Sequence, residues 1–178
     1  MGDQRSEDFV RRQGPAFMAH LLRRLSDALV EGCTEWHPEQ GICSAPRTSS
    51  TLLALDEKGS LSVTELSMLL RQSHPLVIHW IKQLRELGLV TSAKDPHDGR
   101  RSIISLTSEG RLTARRLRQA LVTVDRAILD LIGESTPGLL EGLWKLEQNL
   151  LSTPFVDRLR ALDRQRLPGP EADELSRG

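Results

Sequence analysis

From Phe9 to about Trp36, Phe17, Leu21, Leu25, Ala28 and Gly32 recur at steps of three and four, with Met18, Leu22 and Leu29 widening the stripe. That period predicts one long amphipathic helix. His37 to Pro46 carry two prolines and a glycine and read as a loop; a helix from about Arg47 to Glu57 follows and stops at Lys58-Gly59. Ser62-Val63-Thr64-Glu65 has the form of a capping box, in which a hydroxyl and a carboxylate reciprocally satisfy the first orphan N–H groups of a helix. The helix it opens presents Val63, Leu66 and Leu70 on one face.

Ser73 predicts a second N-cap, and Pro75 is tolerated in the first turn because N–H groups there have no intrahelical partner. Val77, Ile81 and Leu84 then form an inward stripe that Gly88 ends, and Trp80 beside it reads as core. Two short helices so tightly joined predict a helix-turn-helix. Leu89 to Lys94 and Ser102 to Leu106 read as strands around the turn-forming Pro96-His97-Asp98-Gly99. Thr107 caps the next helix, whose seam of Ala114, Leu117, Leu121, Val124, Ile128 and Leu131 suits packing along another long helix. Thr136-Pro137 and Thr153-Pro154 each place a cap residue before a proline and predict two further helices, the first lined by Leu139, Leu143, Leu146 and Leu150. The tail from Pro168 to Gly178 is rich in Pro, Gly and acid and is expected to be disordered.

The 24 basic and 24 acidic side chains cancel, which at first argues against a nucleic-acid partner. Their distribution reverses the argument. Residues 71–118 hold 10 Lys/Arg against 4 Asp/Glu, a net of +6, while the segments on either side are each at −3. Neutralising phosphates needs a local basic face rather than a basic protein. No apolar run approaches the ~18 residues that span a bilayer, and no signal-peptide layout opens the chain, so a cytoplasmic protein is expected.

Other chemistry is thinly represented. Cys33 and Cys43 lack zinc spacing and cannot form a disulfide framework. A redox-sensing role for either is a minor alternative, because the chain has no tyrosine and acidic Glu31 and Glu35 flank Cys33. His74 and His79 lie five apart, a spacing that does not bring them side by side for a metal. No nucleophile–base pair, metal cluster or phosphate loop is evident, so neither an enzyme nor a cofactor is expected.

Gly88-Leu89-Val90, then Asp95-Pro96-x-Asp98-Gly99-Arg100-Arg101, then Leu106-Thr107-x-x-Gly110-Arg111 resembles the MarR family of bacterial transcriptional regulators. The resemblance is specific from about Ser62 to Arg111 and architectural beyond. It implies a mainly α fold with a small β-hairpin wing, a winged helix-turn-helix flanked by long N- and C-terminal dimerisation helices. The corresponding division is a helical arm and loop over 1–46, the DNA-binding domain over 47–110, a helical dimerisation region over 111–166, and the tail over 167–178. The resemblance further implies a homodimeric repressor on a near-palindromic DNA operator, its binding modulated by a small aromatic or anionic effector.

Carried onto this chain, the recognition helix spans Ser73 to Leu87, with Ser73, His74, Leu76, Ile78, His79 and Lys82 as DNA-facing candidates. In the wing, Asp98 and Arg100 match the Asp-x-Arg of the family, in which the aspartate braces the hairpin and the arginine reaches the minor groove; Lys94 and Arg101 are expected to face phosphates. Trp36 and Trp144 are candidates for an effector crevice, with a structural role as the alternative for each. The chain departs from the family pattern in two places. Arg71 and Gln72 stand where a small glycine and an apolar residue are common, and Leu76 and Ile78 replace hydrogen-bonding readers. Either base readout shifts to His74, His79 and the wing, or DNA is bound weakly or unusually. The rival reading is a winged-helix interaction protein whose Leu76 and Ile78 face contacts a protein partner.

Overall fold

A computed structural model of the protein describes residues 8–95, 101–133 and 136–165. These form two compact units, the first reaching Asp125 and the second beginning at Arg126. The wing-tip residues Asp98 and Arg100, and the tail from Pro168, lie outside the described residues.

The first unit opens with a single helical turn, α1 (Phe9–Arg12), a 3-10 turn over Gly14–Phe17, and the long helix α2 (Met18–Trp36). The uninterrupted helix expected from Phe9 is therefore broken at its start. Gly14 sits at φ +67° and Pro15 has no N–H to give, so the helical ladder cannot run through them. Asp8 caps the short turn: its carboxylate accepts from the Arg11 N–H at 3.0 Å and from the Arg24 guanidinium at 2.8 Å. The Phe9 and Phe17 rings meet edge-on at 6.1 Å.

Past two 3-10 turns, His37–Gln40 and Pro46–Thr48, come α3 (Ser49–Lys58), the two-residue strand β1 (Leu61–Ser62), α4 (Val63–Leu70) and α5 (His74–Glu86). Strands β2 (Val90–Lys94) and β3 (Ser102–Leu106) form the hairpin, and α6 (Ser108–Ile132) runs on into the second unit. The fold is mainly α with a small antiparallel sheet, as expected, but the sheet has three strands in the order β1-β3-β2. The third strand is only a two-residue pairing, Leu61 with Ile104 and Ser62 with Ile103, too short to leave a period in the sequence.

One apolar core unites these elements. Leu52 and Leu55 of α3, Leu66 of α4, Val77, Trp80, Ile81 and Leu84 of α5, Leu89, Val90, Ile104 and Leu106 of the hairpin, and Ala114 and Leu117 of α6 are all buried in it. The inward stripe read for α5 is thus the stripe observed. Along α6 the seam divides: Ala114 and Leu117 are buried, Val124 and Ile128 half-buried, Leu121 and Leu131 exposed.

The second unit contains the end of α6, α7 (Leu139–Ser152) and α8 (Phe155–Gln165). Helix α7 starts two residues later than Thr136-Pro137 suggested. Thr136 donates its hydroxyl to the Ile132 carbonyl at 2.8 Å, serving the end of α6, and Gly138, left-handed at φ +78°, takes the N-cap position of α7. Helix α8 begins directly after Thr153-Pro154, with the Asp157 N–H bonded to the Pro154 carbonyl at 3.0 Å. No helix of the described residues is long and apolar enough to cross a membrane.

Candidate nucleic-acid interface

Helix α4 is anchored by the capping box. The Glu65 N–H reaches Ser62 Oγ at 3.3 Å, and Glu65 Oε2 accepts from the Ser62 N–H at 2.7 Å and from its hydroxyl at 2.6 Å. These donors, the Ser62 hydroxyl first and its N–H second, hold the Glu65 carboxyl below the usual carboxylate range, with Arg101 adding to the effect. The far end of α4 closes in a Schellman motif: the Gln72 N–H bonds to Ser67 O at 3.0 Å and the Arg71 N–H to Met68 O at 3.3 Å. This motif puts Arg71 at φ +51°, alone among the described non-glycine residues in a left-handed conformation. The glycine expected at this position is what the backbone geometry favours, and arginine occupies it under some strain.

Helix α5 starts two residues on. Ser73 is its N-cap by backbone position, its carbonyl accepting the Val77 N–H at 3.1 Å, but its hydroxyl makes no capping bond. Pro75 sits in the first turn, as expected. Because Val77, Trp80, Ile81 and Leu84 turn into the core, His74, Pro75, Leu76, Ile78, His79 and Lys82 are left exposed. Lys82 makes a loose ion pair with Glu86 at 3.9 Å, both ends in solvent.

The hairpin beside α5 is fixed at both ends. At its root, Thr107 donates its hydroxyl to Gly88 O at 2.7 Å, accepts the Gly110 N–H at 3.0 Å, and gives its own N–H to Leu89 O at 3.0 Å. One threonine thereby caps α6 and ties it to the turn after α5. Towards the tip, the ladder ends with Lys94 opposite Ser102, and the Asp95 N–H bonds to Arg101 O at 3.0 Å. Lys94 is exposed.

Arg101 does more than the sequence suggested. Its guanidinium donates to Ser62 Oγ at 3.0 Å and lies 3.5 Å from Glu65 Oε2, so it braces the wing base against the α4 cap. The signal for this was slight: the cap and Arg101 are 39 residues apart. Only the pairing of β1 with β3 brings them together.

The other sequence candidates are scattered. Trp36, at the end of α2, is half-buried against the core of the first unit, whereas Trp144 of α7 is 60% exposed in the second. A cavity of about 630 Å³ beside α1 and the start of α2 is lined by Phe17, Met18, Leu21 and Arg24 among others, and a second of about 680 Å³ by the loop from His37 to Pro46. Trp36 belongs to neither lining. Cys33 is half-buried and Cys43 exposed, and both are free thiols.

Residues 45–101, from just before the 3-10 turn that precedes α3 to the residue ahead of β3, match the sequence model of the MarR family. This segment of the chain is similar to the MarR family. Members of the MarR family are transcriptional regulators, not enzymes. Among solved structures, the S. aureus MepR–DNA complex superposes with a TM-score of 0.63 at 19% identity, covering 74% of this chain and 96% of that one. The PcaV transcriptional regulator from Streptomyces coelicolor, in complex with its natural ligand, gives 0.59 at 21% identity over 76% and 92%. The transcriptional repressor CouR, bound to a 23-mer DNA duplex, gives 0.60 at 23% identity over 74% and 92%. Identities this low establish a common fold and no more. No curated protein matches the chain.

Proposed function

We propose that this MarR-type chain is a homodimeric repressor that binds a near-palindromic operator, each subunit laying α5 in the major groove and its wing along the adjacent backbone and minor groove. One observation carries the reading. The outer face of α5, from His74 to Lys82, is free of the core that buries its inner face, and it lies within the +6 segment beside the hairpin. In this reading His74, Leu76, Ile78 and His79 meet base edges, and Ser73, Lys82 and Lys94 meet the backbone. Asp98 and Arg100 enter on the sequence pattern alone, as the brace and the minor-groove finger of the wing.

Dimerisation is supported by the helices outside the winged helix. No residue of α2, α7 or α8 is buried, yet α2 exposes Met18, Leu21, Leu22, Leu25 and Leu29, and α7 exposes Leu139, Leu140, Leu143 and Trp144. Apolar stripes of this extent call for a partner, and a second copy of the same chain supplies a self-complementary one. A small aromatic or anionic effector fits the same reading, since PcaV was crystallised with its natural ligand; either Trp36 or Trp144, each within its own unit, is a candidate contact for it. Such a ligand acts by favouring a dimer whose two α5 helices no longer match one turn of DNA, roughly 34 Å.

The test is selection of a binding site from random duplex DNA, followed by affinity measurements over a salt series. Log K should fall linearly with log salt, with Arg100→Ala weakening binding and flattening the slope. Failure to enrich any site, or an affinity indifferent to both salt and Arg100→Ala, overturns the proposal.

A further inference from the structure

We infer that Ile78 and Leu76 read thymine C5-methyl groups, so that each half-site is marked by thymines opposite the first half of α5. The inference rests on the DNA-binding reading above and specifies its chemistry. Both side chains stand out from a helix whose inner face is already packed: Ile78 is 54% exposed and Leu76 36%. At 100° per residue they project on opposite margins of the outward face, either side of the line through Pro75, His79 and Lys82. Neither can donate or accept a hydrogen bond, so neither can recognise guanine, cytosine or adenine by its edge. Among the groups that base pairs present in the major groove, the thymine methyl is the apolar one.

The surroundings decide which occupant the apolar pair serves. Lys82, Arg85 and Lys94 all belong to the net +6 segment, and each keeps an exposed side chain. A protein surface covering Ile78 and Leu76 would have to bury or neutralise that charge, whereas a duplex supplies phosphates on both sides of the groove in which the methyls lie. His74 and His79 supply polar contacts between and beside the two apolar positions, so the helix alternates hydrophobic and hydrogen-bonding readers along a few base pairs.

The experiment replaces thymines of the selected operator one at a time by deoxyuridine, which deletes the methyl and leaves every pairing and groove hydrogen-bonding group in place. With the full-length wild-type chain, at least one replacement per half-site should weaken binding about three- to five-fold, the size expected for one methyl taken out of water. Ile78→Ser or Leu76→Ser should abolish the difference between thymine and uracil at its own position only, while Ile78→Val retains it. Urea denaturation of the variants should match wild type, since both side chains are outside the core. Salt-dependent binding with no uracil effect, or a uracil effect that persists in both serine variants, overturns this inference and leaves the DNA-binding reading standing. Absence of any selected site overturns both. Intact operator binding by the serine variants with unchanged affinity, together with loss of a defined protein complex, assigns the face to a protein instead.

Discussion

Replacing Gly110 by alanine tests the packing that holds the wing to the rest of the winged helix. Gly110 lies buried in the first turn of α6, and a Cβ there would stand 2.0 Å from the Leu89 carbonyl oxygen and 3.2 Å from Leu106 Cδ2. Carbon–oxygen contacts of this kind settle near 3.3 Å, so helix and turn must separate by roughly 1.3 Å. The obstacle is backbone and cannot swing aside as a side chain could. The same carbonyl accepts the Thr107 N–H at 3.0 Å, and Gly110 donates its N–H to the Thr107 hydroxyl. Overpacking costs about 1–3 kcal/mol, and a strained or lost buried hydrogen bond about 1–3 kcal/mol more. Alanine recovers up to about 1 kcal/mol of helix propensity. The net is a loss of about 1–5 kcal/mol, or roughly 3–15 °C in melting temperature for a chain of this size at fixed concentration. Urea or thermal unfolding followed by circular dichroism measures it. A Gly110→Ala protein as stable as wild type would refute the argument that this close approach organises the hairpin root.

Because the Glu65 carboxyl is held below its ordinary value, its contribution is fully present above that value and lost as pH falls through the depressed one; the stability gap between wild type and Glu65→Gln should therefore be flat at neutral pH and close only as pH falls below the ordinary carboxylate range in urea titrations. At the left-handed Arg71, Arg71→Val should cost about 1–2 kcal/mol by denaturant unfolding, while Arg71→Gly is tolerated. Leu25→Glu, in the exposed stripe of α2, should convert the proposed dimer to a monomer in light scattering without altering the circular dichroism of the winged helix.

The winged helix was legible because its signals are local. The Ser62 box, the α5 stripe, the Gly88 stop and the Thr107 cap each act within about four residues, and each forms the contacts its spacing implied, except that the Ser73 hydroxyl stays out of its cap. The misreadings arose where a short feature overrode a longer pattern. Gly14-Pro15 breaks a stripe whose apolar period continues straight through it, and Gly138 displaces a start that Thr136-Pro137 advertised. What the sequence hid was non-local. Strand β1 and the Arg101 brace exist only once β3 has brought residues 61–62 and 101–104 together, and no period of one segment encodes that meeting.

Arg101 is where this hidden geometry meets function, and its two roles make opposite demands. A phosphate-facing arginine contributes to counterion release, so that removing it lowers the salt slope by about 0.9. An arginine bound to Ser62 and Glu65 instead fixes the hairpin against α4, and its removal releases the wing. The observed contacts favour the brace: Glu65 offsets the charge that a phosphate would otherwise attract. Arg101→Ala should therefore leave the salt slope unchanged while weakening operator binding, because the freed hairpin must be ordered again on the DNA. The Glu65→Gln protein supplies the complementary measurement. With the carboxylate gone, Arg101 becomes available to phosphate and the slope should steepen. A slope reduced by about one in Arg101→Ala and unchanged in Glu65→Gln would place this arginine on the DNA backbone and leave the wing to be positioned by the Thr107 root alone.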